Sequence, residues 1–181
     1  LINFLNKQKK SSLVSPMKYG VISGGKKIRS TIIFDSGKIF NLKEKKLISI
    51  CAAVECIHSY SLIHDDLPCM DNDKMRRGKP STHIKFGEAS AVLAGSSLLT
   101  LAFEIIAEEK YLLNHKMKNE IIKFLASCSG HTGIAGGQEL DLKFENKNMK
   151  INQIIDMQKK KTGKLFNFCL YAVGVIANKT T

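Results

Sequence analysis

The strongest constraint on the fold is one stripe of apolar side chains. Leu47, Ile50, Cys51, Val54, Ile57 and Ser61 recur at intervals of three and four, the spacing that gathers side chains on one face of an α-helix. Asn41, with Glu44 three residues on, reads as a capping box that opens this helix. The helix is expected to run to Asp66, because Pro68 disfavours helical geometry at the residue before it. A helix with a buried stripe needs helical neighbours, and the sequence offers them. Residues 17–40 are apolar but interrupted by Gly24-Gly25, and long helices are expected over residues 88–108, 117–142 and 151–177. Residues 67–81 read as a polar loop, and few segments alternate with period two. The expected fold class is all-α, with residues 1–181 in a single domain, since 181 residues suffice for one substantial core.

Composition narrows the functional classes. Hydrophobic residues make up 44% and aromatics 7%, with no Trp and 3 Pro, a mixture that suits helices better than a β-sandwich. No apolar run is expected to reach the roughly 18 residues that span a bilayer, and residues 1–10, ending Lys-Gln-Lys-Lys, do not resemble a signal peptide. The absent initiator Met and the ending Asn-Lys-Thr-Thr lead us to expect a fragment or a chain cut at both ends. Cys51, Cys56, Cys69, Cys128 and Cys169 form no Cys-x-x-Cys pair and read as reduced, buried thiols of a cytoplasmic protein. The net charge of +12, from 28 Lys and Arg against 16 Asp and Glu, first suggests nucleic acid. The lysines are nevertheless spread along the chain with no interleaved aromatics to stack bases, so no nucleic-acid partner is expected.

The chemistry is concentrated in Asp65-Asp66-Leu-Pro-Cys-Met-Asp71-Asn-Asp73-Lys-Met-Arg76-Arg77-Gly78. These acids crowd the C-terminal end of an apolar helix, where the macrodipole disfavours each anion by about 0.3–1 kcal/mol. Something cationic is expected there. Carboxylates without nearby soft ligands select a hard, oxygen-seeking ion such as Mg²⁺. Two arginines directly after them suit a phosphate group held bidentately. Gly24-Gly25-Lys26-Lys27-Ile28-Arg29 sets three cations within four residues of a turn. It lacks the spacing of a Walker loop, and alone it is better read as a basic surface cluster. His58 lies seven residues before Asp65, two turns away and roughly 10 Å distant. It reads equally as a core histidine or as a contact to a diphosphate.

Together these blocks resemble the polyprenyl (trans-prenyl) synthase family. The run from Glu55 through His58, Tyr60, His64, Asp65, Asp66 and Asp71 to Arg76-Arg77-Gly78-Lys-Pro80 is similar to the family's first aspartate-rich region. Gly24 to Arg29 resembles its Gly-Gly-Lys-x-x-Arg signature, and residues 86–89, 136–141 and 161–163 match further blocks in the family's order. The resemblance implies an isoprenoid synthase-type helical bundle around a central cavity, usually a homodimer. It implies that Asp65, Asp66 and Asp71 bind Mg²⁺ and that Arg76 helps hold the diphosphate of the allylic substrate. Lys26, Arg29, His58 and Arg77 would hold isopentenyl diphosphate, while Gln138, Lys161 and Thr162 would line the allylic side. Asp65, Asp66, Asp71, Arg76 and Lys161 are the implied catalytic set, and Tyr60 with Ser61 would limit product length. The bulk of Tyr60 points to a farnesyl product. A geranylgeranyl product and a non-catalytic helical subunit of a prenyl synthase are the alternatives. The family's second Asp-Asp-x-x-Asp motif is not found here, where Asp141 and Asp156 stand alone, so a C-terminal part is expected to be missing and the chain by itself to be catalytically crippled. Asn72 and Lys74 also stand where the family often has acids.

Overall fold

Helix α4, Ile48–Asp65, is buried far beyond a single stripe: twelve of its 18 residues are buried, on every face. Small residues at Ala52, Ala53 and Ser59 let neighbours approach the faces that the stripe leaves out. The structure, a computed structural model, describes residues 1–7, 11–22, 24–109, 113–145 and 147–179. Its regular elements are helical apart from one two-stranded ribbon, and the all-α expectation holds. The internal contacts divide into two compact units. One comprises Leu1–Ser30 and Ser49–Glu108, the other Thr31–Ile48 and Glu109–Thr181.

The first unit carries α1 (Ile2–Lys7), α2 (Val14–Ile22), nearly all of α4, α5 (Thr82–Phe86) and α6 (Glu88–Ala107). Helix α6 corrects one expectation. It is long and apolar enough to cross a membrane by length and composition alone, although Ala91, Ala94, Leu98, Ala102, Ile105 and Ile106 are buried within the fold. Residues 67–81 hold more order than a polar loop. Strands β1 (Met75–Arg76) and β2 (Lys79–Pro80) pair antiparallel, joined by Arg77 and Gly78 at φ of 53° and 75°. Positive φ at both central residues matches the twist of a tight hairpin. The Tyr19 hydroxyl donates to the Pro80 carbonyl at 2.7 Å, fastening the ribbon to α2.

Helix α3, Ile28–Ile39, begins just after the Gly24-Gly25 interruption, as expected. The capping box does not form. Asn41 instead adopts φ of 55° and closes α3, its N–H bonding the Lys38 carbonyl at 3.0 Å while that of Leu42 bonds Gly37 at 2.9 Å. This is the Schellman arrangement, for which asparagine is second only to glycine. Glu44 opens a single 3₁₀ turn, Glu44–Lys46, before α4.

In the second unit the helix expected over residues 117–142 is two. Helix α7, His115–Ser129, starts at Asn114, whose side chain accepts from the Met117 N–H at 2.9 Å. It ends at Gly130, and α8 spans Ile134–Phe144. Helix α9 (Ile151–Gln158) continues through a π-helical turn at Lys159–Gly163 into α10 (Lys164–Ile176), close to the single helix expected. Phe124 packs on Tyr171 with ring centres 4.0 Å apart, and the Tyr171 hydroxyl donates to Glu120 at 2.7 Å. Cys51, Cys56, Cys128 and Cys169 are buried free thiols as expected, whereas Cys69 is exposed in the aspartate-rich loop.

Candidate functional site

Where α4 ends, the chain folds back on itself. The Leu67 N–H bonds the His64 carbonyl, that of Met70 bonds Leu67, and that of Asp71 bonds the Asp65 carbonyl at 2.9 Å. Asp65 and Asp71, six residues apart in sequence, are thereby tied backbone to backbone, with Asp65 half-buried and Asp71 exposed. Asp66 turns the other way. It is 2% exposed, and Arg76 grips it as a fork: Nε lies 2.9 and 3.1 Å from its two oxygens, and Nη2 also donates to Oδ1. Burial pushes the Asp66 carboxyl above its ordinary range despite this partner, while the hydrogen bond to Asp66 raises Arg76. The pair closes the loop on which Asp71 and Asp73 stand.

The second constellation, in the same unit, is a cleft of about 80 Å³ lined by Lys26, Lys27, Ile28, Arg29, Glu55, His58 and Arg77. Gly25, at φ of 109°, is a position for glycine alone; a Cβ there would also run into the Arg77 guanidinium. Arg77 donates to the Gly24 carbonyl. Lys27 holds φ of 48°, a left-handed conformation that costs a side-chain-bearing residue about 1–2 kcal/mol. Its ammonium lies 3.0 Å from Glu55 Oε2 and 3.2 Å from the Val21 carbonyl, so it is not equivalent to Lys26 and Arg29. Ser30 Oγ donates to the other Glu55 oxygen at 2.8 Å. Burial, then the charge of Arg29, lowers the His58 imidazole to about 4, so it is neutral at pH 7.

The family resemblance implies no role for Glu55. Its signal in the sequence is a lone acid in an otherwise apolar helix, three residues before His58. Tyr60 is 7% exposed, its ring edge-on to His64 at 5.7 Å. Ser61 is half-buried, and its hydroxyl donates to the His58 carbonyl at 3.0 Å.

Gln138, Lys161 and Thr162 belong to the second unit. Gln138 is buried, Thr162 is exposed, and the Lys161 ammonium lies 2.5 Å from Asp141 Oδ2. A Cβ on Gly137 would strike the Lys161 backbone, so α8 and the π-helical turn touch main chain to main chain there. π-turns of this kind occur disproportionately at functional sites.

Among the described residues no group of three His, Cys, Asp or Glu side chains is placed to hold a metal ion unaided. Mg²⁺ asks for less. It is usually held by one or two carboxylates, with water and substrate phosphates completing its shell. Asp65 and Asp71, tied together and bearing hard oxygen donors, fit that requirement; Asp66 is engaged by Arg76.

The sequence model of the polyprenyl synthetase family matches residues 10–181. The chain is 45% identical over 154 residues to the farnesyl diphosphate synthase of Escherichia coli K12, covering 84% of this chain and 52% of that protein. It is 38% identical over 167 residues to geranylgeranyl pyrophosphate synthase 4 of Arabidopsis thaliana, covering 91% and 44% respectively. Among solved structures it superposes on an FPP/GFPP synthase from Zymomonas mobilis with a TM-score of 0.90 and 44% identity, over 93% of this chain and 62% of that one. The chain thus spans about half the length of the curated relatives it matches. Its ordered sequence blocks, its helical architecture and these likenesses place the chain in the polyprenyl synthetase family.

Proposed function

We propose that the protein is a magnesium-dependent prenyltransferase that condenses isopentenyl diphosphate with dimethylallyl and then geranyl diphosphate to give farnesyl diphosphate. The observation that carries this reading is the presence, in one compact unit, of two unlike charged clusters: linked carboxylates suited to a metal cation at the end of α4 and a separate cleft rich in cations. Two diphosphates of opposite chemical role need that division. One must leave an allylic carbon, and the other must remain attached while its C=C attacks.

Mg²⁺ held by Asp65 and Asp71 would supply the positive charge that neutralises a departing diphosphate. Lys26, Arg29 and Arg77 bind the diphosphate that stays, by charge and by forked N–H groups. His58, kept neutral at pH 7 by its burial, donates a hydrogen bond there without adding charge. Gln138, Lys161 and Thr162 serve the allylic substrate, the intact protein acts as a homodimer, and no covalent nucleophile is needed.

Arg29→Ala is the direct test of the cleft. It should raise the KM for isopentenyl diphosphate at least tenfold, the order expected for losing a charge-assisted contact, and leave calorimetric binding of the allylic substrate nearly intact. Abolished allylic binding would reverse the assignment. His58 gives a second readout. A diphosphate opposes the charge of Arg29, Arg77 and Lys27 that helps to depress the imidazole, so pyrophosphate should move its titration upward from about 4, followed by NMR. A titration left in place by saturating pyrophosphate would put the anion elsewhere.

Product length turns on Tyr60, a rigid aromatic that precedes Asp65 by five residues on α4. Tyr60→Ala should shift the main product from fifteen to twenty carbons or more, with the first condensation preserved. An unchanged fifteen-carbon product would move the floor of the chain cavity elsewhere, and a twenty-carbon product from the wild type would favour the geranylgeranyl reading.

A further inference from the structure

Glu55 is an acid in a cleft whose other charged residues are cations. It is 7% exposed, and its two carboxylate oxygens are divided between Lys27 and Ser30. Those two residues flank Ile28 and Arg29 at the start of α3. Before them the chain turns through positive φ at Gly24, Gly25 and Lys27, a conformation that strains only Lys27. The Lys27 ammonium is held by Glu55 Oε2 at 3.0 Å and by the Val21 carbonyl at 3.2 Å. A buried carboxylate that binds one residue on each side of Arg29 sets where the Arg29 backbone lies.

We propose that Glu55 is a positioning residue of the cation cleft: through Lys27 and Ser30 it fixes the strained turn that presents Lys26 and Arg29 to a bound diphosphate. The inference rests on the reading of this cleft as an anion site. Its sign runs against simple electrostatics. An acid among cations weakens their field, so removing its charge should favour an anion if Glu55 were only a counter-charge. If Glu55 positions the cations, removing its charge should weaken anion binding although the cleft gains one unit of net positive charge.

The test is calorimetric binding of inorganic pyrophosphate to the full chain at low salt. Four proteins are compared: wild type, Glu55→Gln, Lys27→Met and the double variant, each checked for native helicity. Glu55→Gln should bind about tenfold more weakly, the order of a lost charge-assisted hydrogen bond. Lys27→Met should also bind more weakly, and the double variant no more weakly than the worse single one, since both remove the same contact. Equal or tighter binding by Glu55→Gln, or full additivity in the double variant, overturns the proposal. A wild-type chain that binds no pyrophosphate overturns instead the reading of the cleft on which it rests. Should Glu55→Gln not fold, Ser30→Ala removes one of the two anchors and leaves every charge in place. Weaker binding then supports the clamp, and unchanged binding overturns it.

Discussion

On the proposed function, replacing Asp65 by Ala in the intact protein is expected to slow prenyl transfer by about three orders of magnitude or more, on the order of 4 kcal/mol in activation free energy. The expectation starts from the loop. Asp65 is the last residue of α4, and its carbonyl accepts the N–H of Asp71, so the two acids are set side by side by the main chain. Asp66 is engaged by Arg76 and cannot replace Asp65 without breaking a buried ion pair. Asp66 is therefore not an equivalent substitute for Asp65. Two measurements separate a metal role from a general loss of structure. Turnover should fall, and the affinity for Mn²⁺ in the presence of pyrophosphate, read by electron paramagnetic resonance, should fall with it. Asp66→Asn, by contrast, should leave Mn²⁺ affinity within a few-fold of the wild type. Near-native turnover or unchanged Mn²⁺ binding in Asp65→Ala would remove Asp65 from the metal site.

Much of the architecture was readable because it depends on local rules. The Gly24-Gly25 break and the end of α4 near Pro68 follow from backbone restrictions at single residues. The errors arise where one residue type serves two local purposes. Asn41 suits both the start of one helix and the close of another, and the αL close prevails because Leu42 and Gly37 complete a second hydrogen bond. The run over residues 117–142 looks continuous in periodicity, yet Gly130 ends α7 within it. In the site, the sequence identified which residue types were gathered but not how they divide. Lys26, Lys27 and Arg29 look alike on paper; only the fold reveals that Lys27 faces Glu55. Arg76 and Arg77 are neighbours that part at a positive-φ turn, one toward Asp66 and the other toward Gly24. The Lys27–Glu55 and Arg77–Gly24 pairings join residues 28 and 53 positions apart, beyond the reach of local rules.

Arg76→Met is expected to destabilise the protein by about 3 kcal/mol at neutral pH, the lower end of the cost of stripping a buried ion of its partner. The lower end applies because the Arg76 side chain is 28% exposed while that of Asp66 is 3% exposed. The pH dependence identifies the mechanism. Burial already raises the Asp66 carboxyl above its ordinary value of 3.8, and Arg76 opposes that rise. Without the guanidinium the carboxyl should move further up. A carboxyl raised on folding binds its proton more tightly in the folded state. Its contribution is thus present below the unfolded value and is lost as pH rises through the folded one. The variant should accordingly lose stability more steeply than the wild type as pH rises above the ordinary carboxylate value, as measured by urea unfolding. Adding Asp66→Asn should restore most of the loss and flatten the difference, because a neutral amide carries no unpaired charge. The double variant should therefore be the more stable of the two, although it lacks both charges. Equal pH slopes in the single variant and the wild type, or a double variant no more stable than Arg76→Met, would show that the fork does not govern the burial of Asp66. The loop carrying Asp71 would then owe its shape to its backbone bonds alone.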